Sequence, residues 1–189
     1  MEVNMTNIRK YVGSRSFLFT TRGFTLIEMM VVITIIGIIL IMAVPNLVGV
    51  QRRARVRAGA QEISQDFRAY RERALSLGQT FTIDSPDNQH YRVTKPDGST
   101  NTYKLGSTTG GNLRFGTTGA VANAPPEDPN GTPGTFDFPP NNILFLRQRG
   151  VATQGVAYIT DGKENFAVGV NLIGKIRVYR YTNNTWIAL

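Results

Sequence analysis

Side chains able to do chemistry are scarce in this chain. One residue of 189 is histidine and none is cysteine, so disulfides, thiolate nucleophiles and cysteine-type metal sites are excluded. His90, in Asn88-Gln89-His90-Tyr91, has no second histidine with which to share a metal and reads as a solvated surface residue. Two acid pairs, Asp84 with Asp87 and Glu127 with Asp128, fall in expected loops, and neither has the ligand spacing of a calcium loop. No phosphate-cradling glycine loop and no serine nucleophile elbow is present. The expectation is a protein without enzymatic activity, metal or cofactor. One acid stands out by its surroundings. Glu28 opens the run 29–50, which carries no charge and is rich in Ile, Val, Leu and Met. A carboxylate at the edge of a membrane costs up to about 3 kcal/mol unless something offsets it, so Glu28 needs a partner.

The elements that position Glu28 follow from the same stretch. About 20 residues at about 1.5 Å each cross a hydrocarbon core of about 30 Å, so the run is long enough for one membrane-spanning helix. A secretory signal would have an apolar region of roughly 7–15 residues with a small-residue junction after it. Here the run is longer, and the small-residue junction, Gly23, lies before it. A plain signal anchor fits the length but leaves Glu28 unexplained. Residues 1–23 read as a cytoplasmic leader, carrying Arg9, Lys10, Arg15 and Arg22 against Glu2, and account for a good share of the formal charge of +8. A second basic cluster, Arg52, Arg53, Arg55 and Arg57, follows the span, so loop charge alone does not orient it. That cluster most simply faces lipid headgroups, at about 1 kcal/mol per basic residue near an anionic surface. Pro45 removes a backbone hydrogen bond and predicts a kink, while Gly37 and Gly49 permit close helix approach.

Beyond residue 50 the helix is predicted to continue as an amphipathic rod, 51–78. Val56, Ala60, Ile63, Phe67, Tyr70, Ala74 and Leu77 recur at alternating spacings of four and three and draw one apolar stripe. Gln61, Glu62, Gln65, Arg68, Arg71 and Glu72 occupy the other faces, and Gly78 is the expected C-cap. Unbroken from Phe24 to Leu77, such a helix is about 80 Å long. After Gly78 the period becomes two. Phe81 and Ile83 alternate with threonines, and a hairpin is predicted around Pro96-Asp97-Gly98-Ser99, with a short strand at 113–115. The stretch 120–142 is rich in Pro, Gly and Asn and reads as a loop offering a variable contact surface. Strands are predicted at 143–146, 155–160, 165–170, 175–181 and 186–189, with turns at Asp161-Gly162 and Asn183-Asn184. The fold class is α+β: a long N-terminal transmembrane and amphipathic helix packed on an antiparallel β-sheet head, 79–189.

Arg22-Gly23-Phe24-Thr25-Leu26-Ile27-Glu28 followed by an apolar run resembles the processing signal of type IV prepilins and type II secretion pseudopilins, residue for residue. The resemblance implies a pilin-like fold, cleavage by a prepilin peptidase after Gly23, and N-methylation of Phe24. It also implies that Glu28 governs methylation and assembly, and Pro45 matches the proline of the family's helix. The orientation it implies is leader inside and head in the periplasm, single-pass in the bacterial inner membrane, before entry into a pseudopilus or pilus. In that setting Glu28 of one subunit would pair with the new Phe24 ammonium of a neighbour. An unpaired carboxylate in a dry environment is strongly disfavoured and a hydrogen-bonded pair is not. Thr25, Leu26 and Ile27 are expected to supply flanking apolar surface.

The C-terminal third, with Phe145-Leu146-Arg147-Gln148-Arg149-Gly150 and Gly174-Lys175-Ile176-Arg177-Val178, resembles the GspH/FimT group of minor subunits. The function this implies is that of a minor pseudopilin in protein secretion. The partners implied are the peptidase, other pseudopilins or pilins, membrane lipid and an inner-membrane assembly platform. Some FimT-type members bind DNA, which supplies the alternative. Lys175, Arg177, Tyr179 and Tyr181 share one face of the predicted strand, and Arg147, Arg149 and Arg180 add charge. Gly174-Lys175-Ile176-Arg177 is similar to the FimT-type motif but has lysine where arginine is usual, losing the bidentate fork. A solvated strand face is the simpler reading.

Overall fold

In the computed structural model of the chain, residues 23–189 are described. The rest of the expected leader, with Arg9, Lys10, Arg15 and Arg22, lies outside the described residues. Helix α1 runs Leu26–Leu77 and is followed by ten strands. The chain divides into two compact bodies, one ending at Val44 and one spanning Pro45–Leu189. The side chains of residues 43–46 are not described, so the kink expected at Pro45 lies outside the described residues. In the first body the apolar side chains from Leu26 to Met42 stand almost entirely exposed. Among the described residues no single helix is long and apolar enough to cross a membrane; Leu26–Met42 and Leu47–Leu77 reach the length and composition of a span only when counted together across the break between them.

The second body is built on the predicted stripe. Val56, Ala60, Ile63, Phe67, Tyr70 and Ala74 are all buried, and Gln61, Gln65, Arg68 and Glu72 face outward. Leu77 departs from expectation: it is 61% exposed. The helix stops there, with Gly78 at φ +62° and the Gln79 N–H donating to Ala74 O at 3.1 Å, and the chain turns away before Leu77 can pack.

Strands β1 (Phe81–Asp84), β2 (His90–Thr94), β3 (Thr100–Lys104) and β6 (Ile143–Leu146) form one antiparallel sheet in the order β3-β2-β1-β6. Strands β4 (Arg114–Phe115), β7 (Gly155–Thr160), β8 (Asn165–Val170), β9 (Ile176–Thr182) and β10 (Thr185–Ala188) form part of a second, in the order β10-β9-β8-β7-β4, and β5 (Phe136–Asp137) also pairs with β7. The single sheet expected from the strand pattern is therefore two. Both turn apolar side chains toward the helical stripe. Ile83 stands opposite Val93 on one side and Leu144 on the other, and Phe67 meets Phe136 and Phe138 edge-on at 6.5 and 6.4 Å.

Strands β7 and β8 are buried at every position, which requires cover on both faces. Helix α1 and the first sheet cover the inner face. The outer face carries a second, smaller core of Val156, Tyr158, Ala167, Tyr179 and Trp186, against which Val121 and Tyr181 pack. The stretch 120–142 supplies that cover and is not a free loop. Its Glu127 and Asp128 are buried, as are Phe136 and Phe138. Tyr179 donates to Glu127 at 2.9 Å, Tyr158 to Asp128 at 2.5 Å, and the Trp186 indole N–H to Asn123 O at 3.0 Å. Burial first, and these carboxylates second, hold the Tyr158 and Tyr179 phenols above their ordinary pKa.

Candidate functional site

Gly23, Phe24 and Thr25 precede the helix in non-helical, exposed backbone, and Phe24 is 73% exposed. Thr25 is the N-cap. Its carbonyl accepts the Met29 N–H at 3.2 Å, and its hydroxyl oxygen accepts the Glu28 N–H at 3.2 Å. The pattern Thr25-Leu26-Ile27-Glu28 is that of a capping box, and the signal was there to be read; Thr25 works as a cap and not as the apolar flank expected of it. Glu28 stands in the first turn, where the positive end of the helix dipole favours a carboxylate. Its own carboxylate has no hydrogen-bond or ion-pair partner among the described residues. Chemically, the site offers an accessible peptide bond at Gly23–Phe24, a capped helix start behind it, and one carboxylate one turn further on that is uncommitted among the described residues.

Lys175, just before β9, and Arg177 and Arg180 within it do not form one surface. Lys175 and Arg177 point outward, while Arg180 projects from the opposite face of the strand to Glu164, with Nη2 3.5 Å from Oε2. Arg177 lies 3.6 Å from Glu127, and Tyr179, expected beside it as a stacking platform, is buried beneath the 120s segment. Tyr181 is occupied as well, accepting the Ala122 N–H at 3.0 Å. Sequence periodicity set Arg177 and Tyr179 on the face opposite Ile176 and Val178, as observed. Arg180, expected to add charge to that surface, lies on the other face, and nothing local signalled that a distant segment would cover Tyr179. His90 is likewise less free than expected, since its Nδ1 lies 2.9 Å from Asp87. Asp84 is in strand β1, paired with Arg92, and not in a loop. Among the described residues no three or more His, Cys, Asp or Glu side chains are grouped to hold a metal.

A glycine pair missed by sequence reasoning holds the head to the helix. The Arg71 guanidinium donates through Nε to Gly150 O at 3.1 Å and through Nη2 to Ile173 O at 3.2 Å. Gly174, at φ +74°, leaves the space this arginine occupies; a Cβ there would fall on both Gly150 O and Arg71 Nε.

Two comparisons bear directly on these parts. Residues 19–44 match the family described as the prokaryotic N-terminal methylation motif. Residues 59–174, well over half of the chain, match the family described as type II transport protein GspH. The chain belongs to the GspH family. The GspH match starts in the apolar stripe of α1 and ends at Gly174, so it takes in the Arg71 clasp and stops short of Lys175, Arg177 and Arg180. Over 73 residues the chain is 36% identical to the type II secretion system core protein G of Escherichia coli (strain K12), covering 39% of this chain. It spans 43% of the length of that relative. The solved minor pseudopilin EpsH from the type 2 secretion system of Vibrio cholerae is similar at 19% identity with a TM-score of 0.41, covering 66% of this chain and 94% of that one.

Proposed function

We propose that this GspH-family chain is a minor pseudopilin: a structural subunit of a type II secretion pseudopilus, without chemistry of its own. It is made as a precursor, cut after Gly23 by a prepilin peptidase and N-methylated on Phe24. It rests in the bacterial inner membrane as a single-pass protein with its head in the periplasm, and an assembly platform there draws it into a filament beside other pseudopilins.

The observation that carries this reading is the arrangement at the helix start. An exposed, non-helical Gly23–Phe24 bond stands directly ahead of a Thr25-capped helix, and among the described residues the Glu28 carboxylate has no partner. Cleavage would place a new ammonium beside the positive end of the helix dipole, an unfavourable position in apolar surroundings. Glu28 of an adjacent subunit supplies the opposite charge, and pairing fixes how far one helix is shifted along the next. The pair is a register device more than a source of net stability, because desolvation offsets much of its attraction.

Intact-mass analysis of the protein from cells with and without the peptidase tests the first step. The expected result is a chain starting at methylated Phe24 only when the peptidase is present. An identical N-terminus in both samples would remove the basis for the whole reading.

A further inference from the structure

Four arginines follow the uncharged run on α1, and the head treats them differently. Arg52 Nε lies 3.7 Å from Asp161, and Arg53 Nε lies 2.8 Å from Glu164, which Arg180 also faces at 3.5 Å. Both acids of the β7–β8 turn are thereby neutralised. Arg55 and Arg57 are exposed and have no ion-pair or hydrogen-bond partner among the described residues. Arg55 borders a cleft of about 140 Å³ with Arg52, Asp161, Gly111, Asn112 and Leu113. At 3.6 residues per turn, positions two apart lie about 200° apart, so Arg55 and Arg57 project to nearly opposite sides of the helix.

We propose that Arg55 and Arg57 are a contact for the phosphate-bearing headgroups of anionic lipid, at the level where the chain leaves the bilayer. The inference rests on the membrane reading of the run 29–50. Two charges on opposite sides decide what kind of partner fits. A nucleic acid or an acidic protein approaches from one side and meets one of them, whereas headgroups reach the helix from every side that the head leaves open and meet both. Arg52 and Arg53 have a separate task, tying the β7–β8 turn to the helix. Sequence alone treats the four as one cluster; the ion pairs divide them into two that hold the head and two that face outward.

The test uses the full chain reconstituted in phosphatidylcholine vesicles with or without phosphatidylglycerol, and native mass spectrometry of the lipid that stays bound. The wild-type chain should retain phosphatidylglycerol in preference to phosphatidylcholine, at about five-fold per free arginine and about twenty-five-fold for the pair. The double variant R55Q/R57Q should lose that preference and keep the thermal stability of the head. R52Q/R53Q should do the reverse, lowering the melting temperature while the lipid preference stays. An undiminished preference in R55Q/R57Q overturns the proposal. So does displacement of the bound lipid by inorganic phosphate at matched ionic strength, which would assign a soluble anion in its place. Insertion without any lipid preference sinks this inference alone; failure to insert in either vesicle sinks the membrane reading with it.

Discussion

At the scale of single residues, two positions carry most of the consequences. Glu28 is held at the helix start by backbone bonds to Thr25, so removing its charge leaves the helix cap in place. Glu28→Gln is expected to insert and be cleaved normally but to enter filaments poorly. Cross-linking yield between subunits reads this, and unchanged yield would count against the charge pairing. Gly174 is the second. Any side chain there is strained by φ +74° and collides with the Arg71 clasp. Gly174→Ala is expected to lower stability by about 2 kcal/mol or more, as substitutions at positive φ with a steric clash do. Thermal unfolding of the purified chain checks it, and Arg71→Ala should lose part of the same energy by a different route. The Thr25-x-x-Glu28 spacing was open to inspection in the sequence. The role of Gly174 was not, because Arg71 and Gly150 reach it from far along the chain.

The elements were legible to very different degrees. The stripe on α1 was readable because a helix repeats every 3.6 residues whatever it packs against. Six of its seven predicted positions are buried, and Leu77 fails only because the Gly78 cap ends the helix. Strands β6, β7 and β8 begin and end where the sequence placed them, bounded by turn residues such as Asp161-Gly162. The stretch 120–142 was misread, since proline and glycine report that a segment is irregular and say nothing about what it covers. Phe67 is where the helix meets both the second sheet and this segment, through Phe136 and Phe138. Phe67→Ala is expected to cost about 3–5 kcal/mol, the range for emptying an aromatic site in a packed core. Denaturant unfolding measures it; a loss near zero would mean that the helix and head are not packed as described.

At the scale of the whole molecule, the head depends on phenols that must stay protonated. Tyr91, Tyr158 and Tyr179 are buried, each donates to a carboxylate (Asp66, Asp128 and Glu127), and burial is the first cause of their raised pKa values. In the unfolded chain they lose their protons near about pH 10. Above that pH the folded state holds more protons than the unfolded one, so stability falls as pH rises. The melting temperature should therefore decline above about pH 10, with phenolate absorbance from these three appearing only on unfolding; a flat profile there would contradict their burial. The amino-acid sequence by itself determined what depends on neighbours in the chain: the N-terminal motif, the uncharged run, the helical stripe, the ends of β6, β7 and β8, and the turns. Only the tertiary structure decided that the described strands form two sheets, that the 120s segment closes over Tyr179, and that Arg52 and Arg53 are engaged while Arg55 and Arg57 have no partner among the described residues. Each of these depends on contacts between residues tens of positions apart, and local periodicity carries no record of which distant side chain arrives.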